Sequence, residues 1–349
     1  MQRKIPQLDA VRGVAVLMVL MIHGSENHPQ LHRLFRNGWM GVDLFFVLSG
    51  FLITGILLDT KQSEDYFKNF YARRCLRIWP LYYCTIFFML VIVPFLRPSE
   101  AATLFQKSSP WWAYPLYIQN FMIPVPSMAA GALGVTWSLA IEEQFYLIWP
   151  WVVWNCSYVQ LRRIAIVVFC LSPPLRLLLM HRVNIYSNTF CRLDSLMAGA
   201  LLALLVRSEN FNSSKFIKQA WILLLIAAPL ALITEGMHAR WIVFTLTALA
   251  SAAFIYVAMF STQKWLQLAL TNRFLVYSGT ISYGLYLLHK IPYDIAPRLH
   301  YLEKHPVLAL PIVIAASYAA AILSFNFLEK PFLNLKRFFQ SKPAVAGRA

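Results

Sequence analysis

Charge is what this sequence lacks. Only 13% of its 349 residues are Asp, Glu, Lys or Arg, about half the roughly 25% of ordinary soluble domains. A water-soluble globule of that length cannot cover its surface with so few charges, which excludes a soluble two-domain reading. Cysteine is scarce too. Cys75, Cys84, Cys156, Cys170 and Cys191 are odd in number, fall mostly in or beside apolar runs and form no C-x-x-C pair. Neither a disulfide framework nor a metal site is expected from them. Internal repeats and low-complexity tracts are also missing, and the composition excludes collagen-like, disulfide-scaffold and disordered classes.

What is present is apolar. Hydrophobic residues reach 59% and aromatics 15%, with a mean hydropathy of +0.56. The expected fold class is all-α, a polytopic bundle lying almost entirely in the bilayer. The formal charge of +16 arises from 31 basic against 15 acidic residues. No basic run sits on a soluble domain large enough to dock a duplex, so nucleic acid is not an expected partner. Lys and Arg instead collect in loops, where they anchor spans to the membrane surface and its lipids. Arg3, Lys4 and Arg12 precede the apolar run Val14–Ile22, but the chain continues through His23 to Pro29 without a small-x-small cleavage site. An uncleaved first span is expected.

A span needs roughly 17–25 mostly apolar residues. About ten candidates satisfy this: 10–24, 38–59, 77–97, 136–155, 163–180, 192–206, 219–234, 240–260, 274–292 and 306–327. The stretch Trp111–Met122, bounded and broken by Pro110, Pro115 and Pro124, reads as an outer-face or re-entrant segment. With the N-terminus inside, about 18 basic residues fall on the inner side and about 10 on the outer, so both termini are expected to be cytoplasmic. Residues 1–335 then form the membrane domain. Residues 336–349 form a cytoplasmic tail expected to be disordered, with no soluble domain appended.

Ionisable groups inside spans need a reason, at about 2.5–3.5 kcal/mol each on insertion scales. Arg12 and His23 are eleven residues apart. On a helix this is about three turns plus 20°, so they share a face about 16 Å apart along the axis. Counting 1.5 Å per residue from the outer ends places Asp43, Glu142 and Glu143 near the depth of His23. Arg192 and Asp194 open the sixth span at that level, and His289 closes the ninth. Adjacent helical side chains diverge by about 100°, so at most one of Glu142 and Glu143 can aim at a given partner. An imidazole with a carboxylate fixing its tautomer suits general-base or nucleophilic work. The competing reading is structural pairing of Glu142, Glu143 or Asp194 with Arg192 or Arg176. Nearer the inner face, Arg74 and Arg77 are i and i+3 and share a helix face that can clasp phosphate, or they simply anchor the span. Glu329, just before Lys330 and Pro331, either pairs with one of these arginines or caps a helix end.

These residues lie in a recognisable series of blocks: LDAVRGVAVLMVLMIH (8–23), GVDLFFVLSGFLI (41–53), FYARRCLRIWPLYY (70–83), TWSLAIEEQFYLIWP (136–150), RLDSLMAGALLA (192–203), ISYGLYLLH (281–289) and FLEKP (327–331). From Leu8 to Pro331 the chain resembles the acyltransferase 3 family, bacterial multi-pass enzymes that O-acylate extracytoplasmic glycans. The resemblance implies an acyl-CoA donor bound at the cytoplasmic face of the inner membrane and a glycan or lipid-linked sugar acceptor on the far side. It implies that His23 is the catalytic histidine with Arg12 its motif partner, that Arg74 and Arg77 serve the donor, and that Glu329 matches an important acidic position. Some relatives carry a periplasmic SGNH-type hydrolase domain. This chain is expected to work without one or to borrow it from a separate partner.

The resulting expectation is an O-acyltransferase, acetyl being the expected group, with acyl-CoA as donor substrate rather than a resident cofactor. Arg12, Arg74 and Arg77 would hold the donor. His23 would act as base or as acyl carrier, aligned by Asp43, Glu142 or Glu143. Arg192, Asp194, Tyr146 and His289 would line the acceptor side, with Tyr146, Trp137 or Ser138 as oxyanion donors. The alternative is a proton-coupled transporter or flippase using the same His and carboxylate cluster as a relay.

Overall fold

The computed structural model describes residues 5–26, 29–96, 109–124, 131–209, 211–237, 239–295 and 306–339. Among these residues there is no strand. The principal helices are α1 (Pro6–Gly24), α2 (Met40–Thr60), α3 (Tyr66–Phe87), α4 (Thr136–Asn155), α5 (Tyr158–Leu179), α6 (Leu193–Val206), α7 (Ser213–Gly236) and α8 (Arg240–Phe260), followed by α9 (Arg273–Thr280), α10 (Ser282–Leu288), α11 (Lys290–Ile295) and α12 (Pro306–Ser324). The expected tail begins in order: Leu335–Phe338 is a 3₁₀ turn, and 340–349 lie outside the described residues.

Six helical stretches are long and apolar enough to cross a membrane: Pro6–Gly24, Pro29–Thr60, Tyr66–Leu96, Ser213–Gly236, Arg240–Phe260 and Leu308–Phe338. The remaining expected spans differ for chemical reasons. Helix α4 carries Glu142 and Glu143, α5 carries Arg162, Arg163 and Arg176, and α6 has 14 residues. The ninth expected span is not one helix. It is divided at Ile281 and His289 into α9, α10 and α11. Along α7, Ile222, Leu225, Ile226, Leu230 and Ile233 are exposed. An apolar stripe of that kind needs lipid as its solvent.

With lipid tails as apolar as leucine, helix association depends on close packing of small residues. Gly50 of α2 and Gly199 of α6 supply it. A Cβ on Gly50 would lie 2.0 Å from the Leu196 carbonyl oxygen, and one on Gly199 would lie 2.0 Å from that of Val47. Gly13 and Gly279 make the same kind of seam between α1 and α9, against the Leu275 and Asp9 carbonyls. Two π turns, Phe88–Ile92 and Phe325–Glu329, extend α3 and α12. The second turns Glu329 inward to 5% exposure, where Ser324 Oγ donates to it at 3.1 Å. The proline-broken segment behaves as expected of non-spanning chain. It forms 3₁₀ turns at Trp111–Ala113 and Gln119–Met122, pinned by Tyr82 Oη to the Tyr114 carbonyl at 2.8 Å and by Gln144 Nε2 to the Tyr117 carbonyl at 2.6 Å.

The seam yields a test. Gly199→Ala should lower stability by about 1–3 kcal/mol through overpacking against backbone, read as a drop in Tm in detergent. Gly236→Ala, where nothing lies within 4 Å, should leave Tm unchanged.

Candidate active site

At the end of the bundle where α1 begins, a cavity of about 280 Å³ opens between α1, α2, α3, α4 and α10. Four cations converge on it: Arg12, Arg74, Arg77 and Lys336. Arg12 is held by Asp9 at 2.5 Å. Arg74 and Arg77 project together from α3, as their i, i+3 spacing requires, and the Arg74 guanidinium lies 5.7 Å from the Tyr146 ring centroid. Sequence reasoning missed Lys336 by placing it in the tail. Its only signal was a lone lysine past an apolar span, which looks the same as ordinary surface anchoring.

One carboxylate faces these cations. Glu142 lines the cavity and accepts from the Ser49 hydroxyl, while Tyr146 Oη donates to Ser49 Oγ at 3.1 Å. Glu143, about 100° around the helix, turns to α3, where Trp79 Nε1 approaches it at 3.5 Å. Glu142 is therefore the glutamate of the pair that enters the chamber. At the deep end Ser138 and Tyr286 share a hydroxyl–hydroxyl bond of 2.5 Å, with Phe45 edge-on to Tyr286. Trp137 packs against Tyr186 and Phe46.

His23 sits beyond that end, in the last turn of α1 and with 26% of its side chain exposed. Its Nδ1 lies 3.0 Å from the Val19 carbonyl oxygen and 3.2 Å from Nε2 of His289. Glu26 Oε1 is 3.9 Å from its Nε2. Tyr286 links the two regions: it lines the chamber, and its ring centroid is 6.0 Å from that of His289.

The expectation that Asp43, Glu142 or Glu143 aligns His23 is not met by this geometry. Glu142 lies with Arg12, Arg74 and Arg77 rather than beside His23, and the depth count left direction around the helix open. Gly41 faces α1; Asp43, two residues and about 200° further on, faces α6. There Asp43 pairs with Arg192 at 2.7 Å and accepts from Ser195 Oγ at 2.7 Å. Arg192 and Asp194, expected on the acceptor side, have no exposed side-chain surface. Arg192 also lies 3.9 Å from the Phe244 ring centroid. Asp194 pairs with Arg176 at 2.8 Å and accepts from Thr245 Oγ1 at 2.6 Å. Arg176 donates further to the carbonyls of Trp241 and Cys191. The structural reading of Asp194 is the one the geometry supports. Glu329 faces the backbone of α10, where a Cβ on Gly284 would lie 2.9 Å from its Oε1, and it forms no ion pair with an arginine among the described residues. No group of three or more His, Cys, Asp or Glu side chains suited to a metal occurs among the described residues.

The bundle thus combines a cationic chamber at one end with a part-exposed imidazole beyond it. A family model described as an acyltransferase domain matches residues 5–326, and the chain belongs to this acyltransferase 3 family. It is 29% identical to peptidoglycan O-acetyltransferase OatA of Listeria monocytogenes over 98% of this chain and 58% of that protein. It is 28% identical to the putative peptidoglycan O-acetyltransferase YrhL of Bacillus subtilis over 94% of this chain and 55% of that protein. The chain thus spans little more than half the length of these relatives. No solved structure matches it.

Breaking a buried pair strands a charge, which typically costs about 3–5 kcal/mol, whereas replacing both partners by apolar groups is often neutral. Asp43→Ala should therefore sharply reduce Tm and folded yield. Adding Arg192→Met should recover most of the loss, as measured by thermal unfolding in detergent.

Proposed function

We propose that the protein is an O-acetyltransferase of the bacterial inner membrane that moves an acetyl group from cytoplasmic acyl-CoA to a hydroxyl of an extracytoplasmic or lipid-linked glycan. The observation that carries this reading is the convergence of Arg12, Arg74, Arg77 and Lys336 on one chamber whose deep end stops beside the His23–His289 pair. The family membership supports it, as do the names of the relatives. Peptidoglycan, which both names contain, is the first acceptor to test.

The chemistry follows from the residues. CoA is polyanionic, and charge-assisted bonds from guanidinium and ammonium groups suit its phosphates. A 280 Å³ cavity is at the small end for ligand pockets of about 300–1,000 Å³. It suits the slender pantetheine arm, with the nucleotide held at the charged mouth. The arm runs along the Phe45 and Val42 wall of α2, and the Ser138–Tyr286 bond must open for the thioester to pass. His23 then takes the proton of the acceptor hydroxyl as its oxygen attacks the thioester carbonyl, and returns it to the CoA thiolate as the C–S bond breaks; alternatively the imidazole displaces the thiolate itself and the hydroxyl then attacks the acyl-imidazole, releasing His23. The transporter reading needs His23, Asp43 and the glutamates within reach of one another. Asp43 is instead committed to Arg192, Glu142 lies among the chamber cations on Ser49 and Glu143 turns to Trp79, so no observation favours it.

His23→Ala should abolish transfer of labelled acetyl from acetyl-CoA to glycan while leaving CoA binding intact. Arg77→Ala and Lys336→Ala should each weaken CoA binding by about 1.5–3 kcal/mol, the usual worth of a hydrogen bond to a charged group, measured by titration calorimetry in nanodiscs. Arg77→Lys should restore little if the contact is bidentate. Unchanged affinity in Arg77→Ala would remove the donor site from this chamber.

A further inference from the structure

His289 stands at the junction of α10 and α11, fully buried. Its Nδ1 is 2.7 Å from the Tyr286 carbonyl oxygen and 3.2 Å from that of Leu285. Carbonyls only accept, so Nδ1 must carry a hydrogen. In the neutral ring the lone pair is then on Nε2, and this is the atom 3.2 Å from His23 Nδ1. His23 Nδ1 also faces the Val19 carbonyl at 3.0 Å, a second acceptor. With acceptors on both sides, His23 Nδ1 must be the protonated nitrogen, its hydrogen shared between Val19 and His289. The unprotonated nitrogen of His23 is therefore Nε2, on the part-exposed edge of the ring. Were His289 doubly protonated, His23 Nδ1 would have to accept from it and would set its lone pair against the Val19 oxygen.

The surroundings fix this arrangement. Tyr293 stands edge-on to His289 with ring centroids 5.7 Å apart, and its hydroxyl donates to the Leu20 carbonyl of α1 at 3.0 Å. Helix α11 is thereby tied to the helix that carries His23. The nearest carboxylate, Glu26, is 3.9 Å from His23 Nε2, outside hydrogen-bonding distance, and is shared with Lys290 at 3.4 Å, while Asp43 and Asp194 are spent on Arg192 and Arg176.

We propose that His289 is the positioning residue of the transfer. As a neutral acceptor behind His23, it holds Nδ1–H and directs the Nε2 lone pair toward the acceptor side, the place a buried carboxylate occupies in hydrolase triads. When Nε2 gains a proton or an acyl group, the His23 ring becomes cationic. Its Nδ1–H is then a stronger donor, so the bond to His289 tightens as the barrier is crossed rather than in the resting state. The inference deepens the function proposed above and rests on His23 being the group that does the work.

The test has two arms. Full-length protein with 15N-labelled histidine in nanodiscs should show His23, assigned by loss of its signals in His23→Ala, with a pyrrole-type Nδ1 and a pyridine-type Nε2. His289→Ala should turn this into a mixture of tautomers. With acetyl-CoA and a glycan acceptor, His289→Ala should lower kcat by about 10–100-fold, the range seen when an orienting partner is removed, while KM for both substrates stays within about two-fold. His289→Gln, which keeps an acceptor oxygen, should recover most of the rate. A pyrrole-type Nε2 on wild-type His23 overturns the proposal, as does a raised KM with unchanged kcat, or a Gln variant as slow as Ala. If wild type transfers no acetyl at all, the functional reading fails, yet the spectrum still decides the tautomer. If the Ala variant does not fold, the wild-type spectrum and the Gln variant carry the test.

Discussion

A guanidinium with no exposed surface in the interior of a membrane bundle must find a counter-charge, and the rest of this structure depends on how that requirement is met. Arg192 takes Asp43, and Arg176 takes Asp194, each at hydrogen-bonding distance and each at zero exposure. The first pair joins α2 to α6. The second, with bonds to Trp241 and Thr245, joins α5 to α6 and α8. Because an unpaired charge is so costly in this medium, these carboxylates cannot also serve a reaction centre. Within hydrogen-bonding distance the imidazole of His23 has a neutral ring, His289, and the Val19 carbonyl, with Glu26 further off at 3.9 Å.

The same constraint sorts the polar residues into two regions. Arg74, Arg77 and Lys336, which form no ion pair among the described residues, gather with Arg12 and Glu142 at one end of the bundle. Histidines gather beyond the Ser138–Tyr286 contact, where the ring of His23 reaches the surface. Small-residue seams hold these regions in register. Gly50 and Gly199 bring α2 against α6 closely enough for Ser195 to reach Asp43, and Gly13 and Gly279 fix the level of Arg12.

Much of this was legible in the sequence. The apolar runs gave the membrane class and most helices, because lipid admits little else. Arg74 and Arg77 were paired by their i, i+3 spacing, Arg12 joined them because it opens at the same surface, and their donor role came from the family resemblance. Carboxylate roles were not legible. A depth count fixes how far down a residue lies but leaves its direction around the helix open, and Asp43 faces away from α1 for that reason alone. Lys336 was hidden because its side chain acts through a turn that follows a π bulge, and neither feature has a strong local signal. The irregular backbone at Ile281, with φ −97° and ψ 10°, was hidden because residues 274–292 read as continuous apolar helix, and only tertiary packing decides where it bends.

Helix α10 also has a mechanical meaning. Tyr286 and His289 are three residues apart on one stretch of helical backbone, one lining the cationic chamber and the other against the His23 ring. Backbone motion there carries both side chains together, so the wall of the chamber and the partner of the imidazole rest on one support.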